Sequence, residues 1–206
     1  AISGDERLSW LHTITSQHVA ALPPGTSAEN LSLDVNGRVE HHFVQTDLDG
    51  VTWIDTEPSR GPDLLGFLTK MVFWSKAEPR DGNDMAVLSL LGPDAGSPGI
   101  LGVLGLEALP AEPYAAVALP GGGFVRRMPW PTDDSYDLLI PRDRLVETFT
   151  ALVSAGARPA GTWAYDALRV VALGWWAAAE GWREGWERRA RGERGGGGCV
   201  SGKEGI

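Results

Sequence analysis

Two adjacent imidazoles, His41 and His42, follow the turn "DVNGRVE" within a stretch that otherwise alternates apolar and polar residues. Histidine ordinarily titrates near neutrality, at about 6.5, so one that faces a pocket can act as a polar contact or as an acid/base. Cys199, the single cysteine, sits in the closing stretch "GGGGCVSGKEGI". A thiolate there could take part in redox or cluster-linked chemistry, and glycines let a backbone come close to a ligand. Other patterns carry less. "DLDG" at 47–50 lacks the further acids and the closing glutamate of a calcium loop, so it reads as a hairpin turn. "PGGGF" at 120–124 lacks the strand-to-helix setting of a phosphate loop. Asp133 and Asp134 read as a solvated loop, and His12 and His18 flank Ser16 with nothing to orient a nucleophile.

These residues need elements to position them. "SGDERLSWLHTITSQ" has capping candidates Ser3 and Asp5 and apolar Leu8, Leu11 and Ile14 at spacings of three, which predicts a short amphipathic helix. Next comes "ENLSLDVNGRVEHHFVQTDLDGVTWID", punctuated by Asn36-Gly37 and Asp49-Gly50, the pattern of a three-stranded meander. A three-residue loop Val35-Asn36-Gly37 would pair Leu33 with Val39 and Leu31 with His41. That register puts His41 on the face of Leu31, Leu33, Val39 and Phe43, and His42 opposite with Ser32, Asp34 and Glu40. Pro62 suits the first turn of a helix over "PDLLGFLTKM", and a strand is expected through "VFWSKAE".

From there the plan recurs. The expected elements are a strand "MAVLSLLG", a helix from Pro93, strands near "AAVAL", "GFVRRM" and "YDLLI", and a helix "PRDRLVETFTALVSAG". In that helix Leu145, Phe149, Leu152 and Val153 form the apolar face and Gly156 the stop. Another helix is expected in "GTWAYDALRVVAL". The reading is an α+β fold of two related halves with antiparallel sheets: residues 1–82, residues 83–172, and an atypical Trp/Arg/Gly-rich tail over 173–206. In that tail Trp175, Ala179, Trp182 and Trp186 recur at helical spacing, a stripe expected to cover the protein's own core.

With 206 residues, 43% of them hydrophobic, the chain can fill a real core. Its formal charge of -9 argues against a broad nucleic-acid or anionic-membrane surface. A single cysteine forms no internal disulfide and no zinc site without several partners. No segment has the length of an apolar span and no signal pattern opens the chain, so a cytoplasmic location is expected. The opening "AISG" starts in mid-pattern, as though a strand preceded it.

The blocks "SGDERLSWLHTITSQHV", "LSLDVNGRVEHHFVQTDLDGVTWID", "LLGFLTKMVFWSKAE", "VLSLLGPDA" and "SAGARPAGTWAYDALRV" occur in order. Together they resemble the YgfZ-like folate-binding proteins, relatives of the glycine-cleavage aminomethyltransferase (the GcvT-like superfamily). The resemblance covers roughly residues 2–172. It implies tetrahydrofolate as the cofactor, held in a central pocket of pseudo-repeated α+β domains followed by a C-terminal barrel, which is expected to be missing here. In the YgfZ-like branch it implies an accessory role in iron–sulfur cluster assembly or repair and iron–sulfur-dependent tRNA modification. The partners would be folate and, indirectly, iron–sulfur proteins. In the aminomethyltransferase branch it implies transfer of a one-carbon unit from a lipoyl-bound aminomethyl group to tetrahydrofolate.

The transferase pattern has paired acids after the hairpin turn where this chain has His41-His42. An imidazole supplies no fixed negative charge, so a folate binder that is not a transferase is favoured. The branch also has a signature K-G-C-Y-x-G-Q-E. "GGCVSGKE" matches it at Gly198, Cys199, Gly202 and Glu204, and departs at Gly197, Val200 and Lys203. By that resemblance Cys199 and His41 are the catalytic candidates, and Gly198, Gly202, Glu204 and His41 the folate-binding ones. Glu204 would accept from a donor edge such as a pterin. The altered stretch after residue 172 also admits a truncated or frame-altered product that keeps the scaffold without ligand binding.

Overall fold

A computed structural model describes residues 1–172. Gly198, Cys199, Gly202, Glu204 and the tryptophan stripe from Trp175 to Trp186 lie outside the described residues. Residues 1–160 form one compact unit, and a second begins at Gly161. In the first unit, β1 (Ile2–Ser3) leads into α1 (Arg7–Ile14), then the meander β2 (Thr26–Leu33), β3 (Val39–Leu48) and β4 (Val51–Asp55). After α2 (Gly61–Lys70) and β5 (Glu78–Pro79), these strands make a five-stranded sheet in the order β2-β3-β4-β1-β5. The second sheet has the order β6-β9-β8-β7, from β6 (Met85–Leu91), β7 (Ala116–Ala118), β8 (Phe124–Met128) and β9 (Ser135–Pro141). Its helices are α3 (Pro98–Leu104) and α4 (Leu145–Ser154). All strand pairs are antiparallel, so the expected α+β architecture with two antiparallel sheets is present.

Alternation along the strands sets the layers. On the first sheet, Phe43 and Ala28 pack with Trp10 and Leu11 of α1 and Leu64 and Leu68 of α2. On the second, Val125, Leu138 and Ile140 pack with Ile100 and Leu104 of α3 and Leu152 of α4. The opposite faces meet through Met85, Ala116, Phe124 and Leu139 of the second sheet against Leu48 and Trp53 of the first. The unit is therefore helices, sheet, sheet, helices. Each sheet is shielded from water by its own helices, and the two sheets shield each other.

The turns follow their residues. Asp49 and Gly50, at φ 51° and 77°, close a two-residue loop between the paired Leu48 and Val51, the geometry that Asp-Gly favours. In the other hairpin, Gly37 is at φ 77° and Asp34 Oδ1 accepts the N–H groups of Asn36 and Arg38 at 2.8 Å. Leu33 pairs with Val39 as expected, but the next step differs. Ser32 pairs with His41 and Leu31 with His42, because a bulge leaves Glu40 as an extra residue. Hence His41 shares a face with Asn30, Ser32 and Phe43, not with Leu31. This register keeps Phe43 in the core and lets the Asn30 amide donate to Thr15 Oγ1 (2.8 Å) and Gln45 Oε1 (2.9 Å).

Four more expectations change. α1 starts after Glu6 with no side-chain cap, and the Glu6 carboxylate accepts the Lys76 N–H at 2.9 Å instead. "VFWSKAE" is no strand: Phe73 sits at φ 45° in a tight turn closed by Ser75 N–H to Val72 O, and pairing resumes only at Glu78. The helix expected from Pro93 begins as a 3-10 turn, Pro93–Gly96, and restarts as α3 at Pro98. In α4 Leu152 is buried, whereas Phe149 is 44% and Val153 37% exposed, because only one edge of the apolar stripe meets the sheet. In the second unit, residues 162–172 are helical as expected. No helix among the described residues is long and apolar enough to cross a membrane.

Candidate functional site

A cleft of about 540 Å³ opens between the start of β3, at the Glu40 bulge, and α2. Val39, Glu40 and His41 form one wall. The other is a single stripe of helix: Arg60 just before α2, then Asp63, Phe67 and Lys70 at spacings of three and four. The rings of His41 and Phe67 lie 5.5 Å apart, tilted by 38°. His41 Nδ1 is buried, and no hydrogen-bond partner reaches it among the described residues. A buried polar atom without a partner costs about 1–3 kcal/mol, which a ligand group could recover. The cleft thus offers an aromatic pair, one unsatisfied ring nitrogen, two carboxylates and two cations.

A second polar region fills the space between the sheets, and its groups are already paired. Arg126 of β8, 1% exposed, donates to both Asp55 oxygens at 2.6 and 2.7 Å, to Asp137 Oδ2 at 3.0 Å and to Thr46 Oγ1 at 3.3 Å. Burial, the largest influence, pulls its pKa down, but Asp55 and Asp137 together carry it above the usual guanidinium value. Glu29 of β2 accepts from Tyr114 Oη at 3.0 Å and from Trp130 Nε1, and lies 3.4 Å from His42 Nε2. The contact with His42, then those with Trp130 and Tyr114, hold the Glu29 carboxyl below its usual range against the opposing effect of burial. Burial and then the Glu29 charge push the Tyr114 hydroxyl well above its own. On the other, helix-covered face of the first sheet, Arg7 of α1 forks onto Asp47 at 2.9 Å through both oxygens, and Thr52 Oγ1 donates to the same carboxylate at 2.8 Å.

His41 and His42, adjacent in sequence, therefore point to different places. His41 enters the cleft, and His42 turns to the opposite face of the sheet toward Glu29. Gly198, Cys199, Gly202 and Glu204 lie outside the described residues. Sequence reasoning missed Arg60, Asp63, Phe67 and Lys70 as one stripe, although their spacing on the predicted helix was a usable signal. It also missed Arg126, whose signal is a charge at a position between Phe124 and Met128 that alternation assigns to an inner face. Among the described residues no group of three or more His, Cys, Asp or Glu is placed to hold a metal.

No family profile matches the chain. Similarity to individual proteins is clear. The aminomethyltransferase of Bordetella pertussis is 30% identical over 183 residues, 83% of this chain and 48% of that protein. The aminomethyltransferase of Methylococcus capsulatus is 30% identical over 182 residues with the same coverage, 83% and 48%. The chain spans about half the length of these curated relatives. Among solved structures, the glycine cleavage system aminomethyltransferase T from Bartonella henselae superposes with a TM-score of 0.59 at 18% identity, over 71% of this chain and 41% of that one. That likeness shows a shared fold. Sequence similarity, over about half of each relative, and the shared fold both make the aminomethyltransferases the proteins that this chain resembles.

Proposed function

We propose that the chain is a tetrahydrofolate-binding accessory protein of the YgfZ-like kind, acting in the cytoplasm. In this reading it supports iron–sulfur cluster assembly or repair and iron–sulfur-dependent tRNA modification, with folate as its direct partner and iron–sulfur proteins as indirect ones. Residues 1–82 and 83–172 would be its two related halves. The observation that carries the reading is His41, which lines a cleft with its Nδ1 unsatisfied, where the transferase pattern has an acid.

The chemistry of the cleft suits a folate. A carboxylate such as Asp63 can accept two parallel N–H groups, as the amino-oxo edge of a pterin presents. The His41–Phe67 pair offers a surface for a flat heteroaromatic ring, and His41 Nδ1 can bond one of its polar atoms. Arg60 and Lys70, at opposite ends of a ten-residue helix, suit the carboxylates of a glutamate tail. Titration calorimetry of the whole chain with tetrahydrofolate tests this: a saturable heat is expected, and its absence overturns the reading.

The second reading, folate-dependent aminomethyl transfer, is favoured by the activity that the relatives' names carry. It lacks the fixed carboxylate at the cleft position that His41 occupies. An assay with a lipoyl-bound aminomethyl donor and tetrahydrofolate separates the two. No turnover is expected, and transfer that His41→Ala abolishes would establish the enzyme.

A further inference from the structure

Phe73 and Trp74 occupy the tip of the turn after α2, 75% and 97% exposed. This tip is costly twice over: large apolar rings stand in water, and Phe73 takes a φ of 45° that a bulky side chain disfavours. Asn or Gly would remove both costs. Lys70 and Lys76, both exposed, flank the tip, and neither forms an ion pair among the described residues. The tip is thus an aromatic knob bordered by positive charge, on a chain whose net charge is -9.

The second sheet carries a matching hollow of about 390 Å³. Pro93, Leu101, Leu109 and Tyr136 line it, with Glu107 and Asp134 at the same opening. Its volume admits one large aromatic side chain, and its two acids answer the two lysines. We propose that the Phe73–Trp74 tip of one copy inserts into the Pro93–Tyr136 hollow of a second copy, with Lys70 and Lys76 against Glu107 and Asp134. Knob and hollow are different surfaces, so the contact is head-to-tail and builds rings or open chains rather than an isologous dimer.

Sedimentation velocity of the whole chain across a concentration series tests this, with circular dichroism melts to confirm that each variant folds. The wild type should associate with concentration, and less so at high salt. Trp74→Ala should weaken association roughly tenfold or more, as loss of a buried aromatic anchor does. Reversal of the lysines (Lys70→Glu with Lys76→Glu) should do likewise, and adding Glu107→Lys and Asp134→Lys should restore it. A wild type monomeric at millimolar concentration overturns the proposal, as does association that Trp74→Ala leaves intact. If Trp74→Ala acts but reversal of Glu107 and Asp134 changes nothing, the tip docks elsewhere and the proposed hollow is wrong.

Discussion

Arg126 is a full positive charge in a place that water does not reach, and two carboxylates keep it there. Removing one side of such a cluster leaves the other buried and unpaired, so Arg126→Leu should cost roughly 3–5 kcal/mol, read from urea denaturation. Glu29 gives a pH-dependent counterpart. Its folded pKa lies below the unfolded value, so its stabilisation is complete above about 4.3, the usual glutamate value. It is lost as the pH falls through the folded pKa, because the unfolded chain then binds the proton more readily. The stability gap between wild type and Glu29→Gln should therefore be widest near neutrality and shrink progressively below pH about 4. In the cleft, His41→Ala should weaken tetrahydrofolate binding about tenfold, while His41→Asn, which keeps a polar atom near Nδ1, should retain part of it. Calorimetry on the two variants checks this.

At the scale of elements, two glycines predict opposite outcomes. Gly123, just before β8, is at φ 80°, and a Cβ there would lie 2.0 Å from Leu139 O. Gly123→Ala should break the β8–β9 edge and lower stability by about 2 kcal/mol or more. Gly102, inside α3, has open space around a Cβ, so Gly102→Ala should stabilise by about 0.5–1 kcal/mol. Thermal melts of both variants decide. The elements most legible in the sequence are those whose signals are local: the Asp49-Gly50 turn, the Pro62 helix start and the alternation of the meander. Glu40 shows the limit. Its bulge is selected by the burial of Phe43 and the Asn30 amide network, which depend on residues far along the chain. In the cleft only His41 was read from the sequence: the stripe Arg60, Asp63, Phe67 and Lys70 has a legible helical spacing, but nothing local to that helix says which strand it faces. The "VFWSKAE" expectation failed for a related reason: β-favouring residues pair only where a neighbouring strand is available, and here the chain turns instead.

For the whole of residues 1–160, the layer between the sheets couples them. Arg126 belongs to the second sheet and Asp55 to the first, so neither can unfold without stranding a charge of the other. Calorimetry should show one cooperative transition for this unit, and Arg126→Leu should broaden it. The two lateral edges of this stack differ. At one, β2 and the chain around β7 exchange main-chain hydrogen bonds, with Ser27 N–H to Tyr114 O at 2.7 Å and Ala116 N–H to Gly25 O at 2.8 Å. At the other, β5 and β6 are joined through the loop 80–84, whose main-chain bonds, Arg80 N–H to Ala1 O and Arg142 N–H to Asp84 O at 2.8 Å, each stay within one sheet, and where Arg80 pairs with Asp84 in the open. The stack is in effect a book with a sewn spine and a loose fore-edge. Any breathing of the layers should begin at the loose side, so the amides of Ser27 and Ala116 should exchange with deuterium among the last and those around residue 82 among the first.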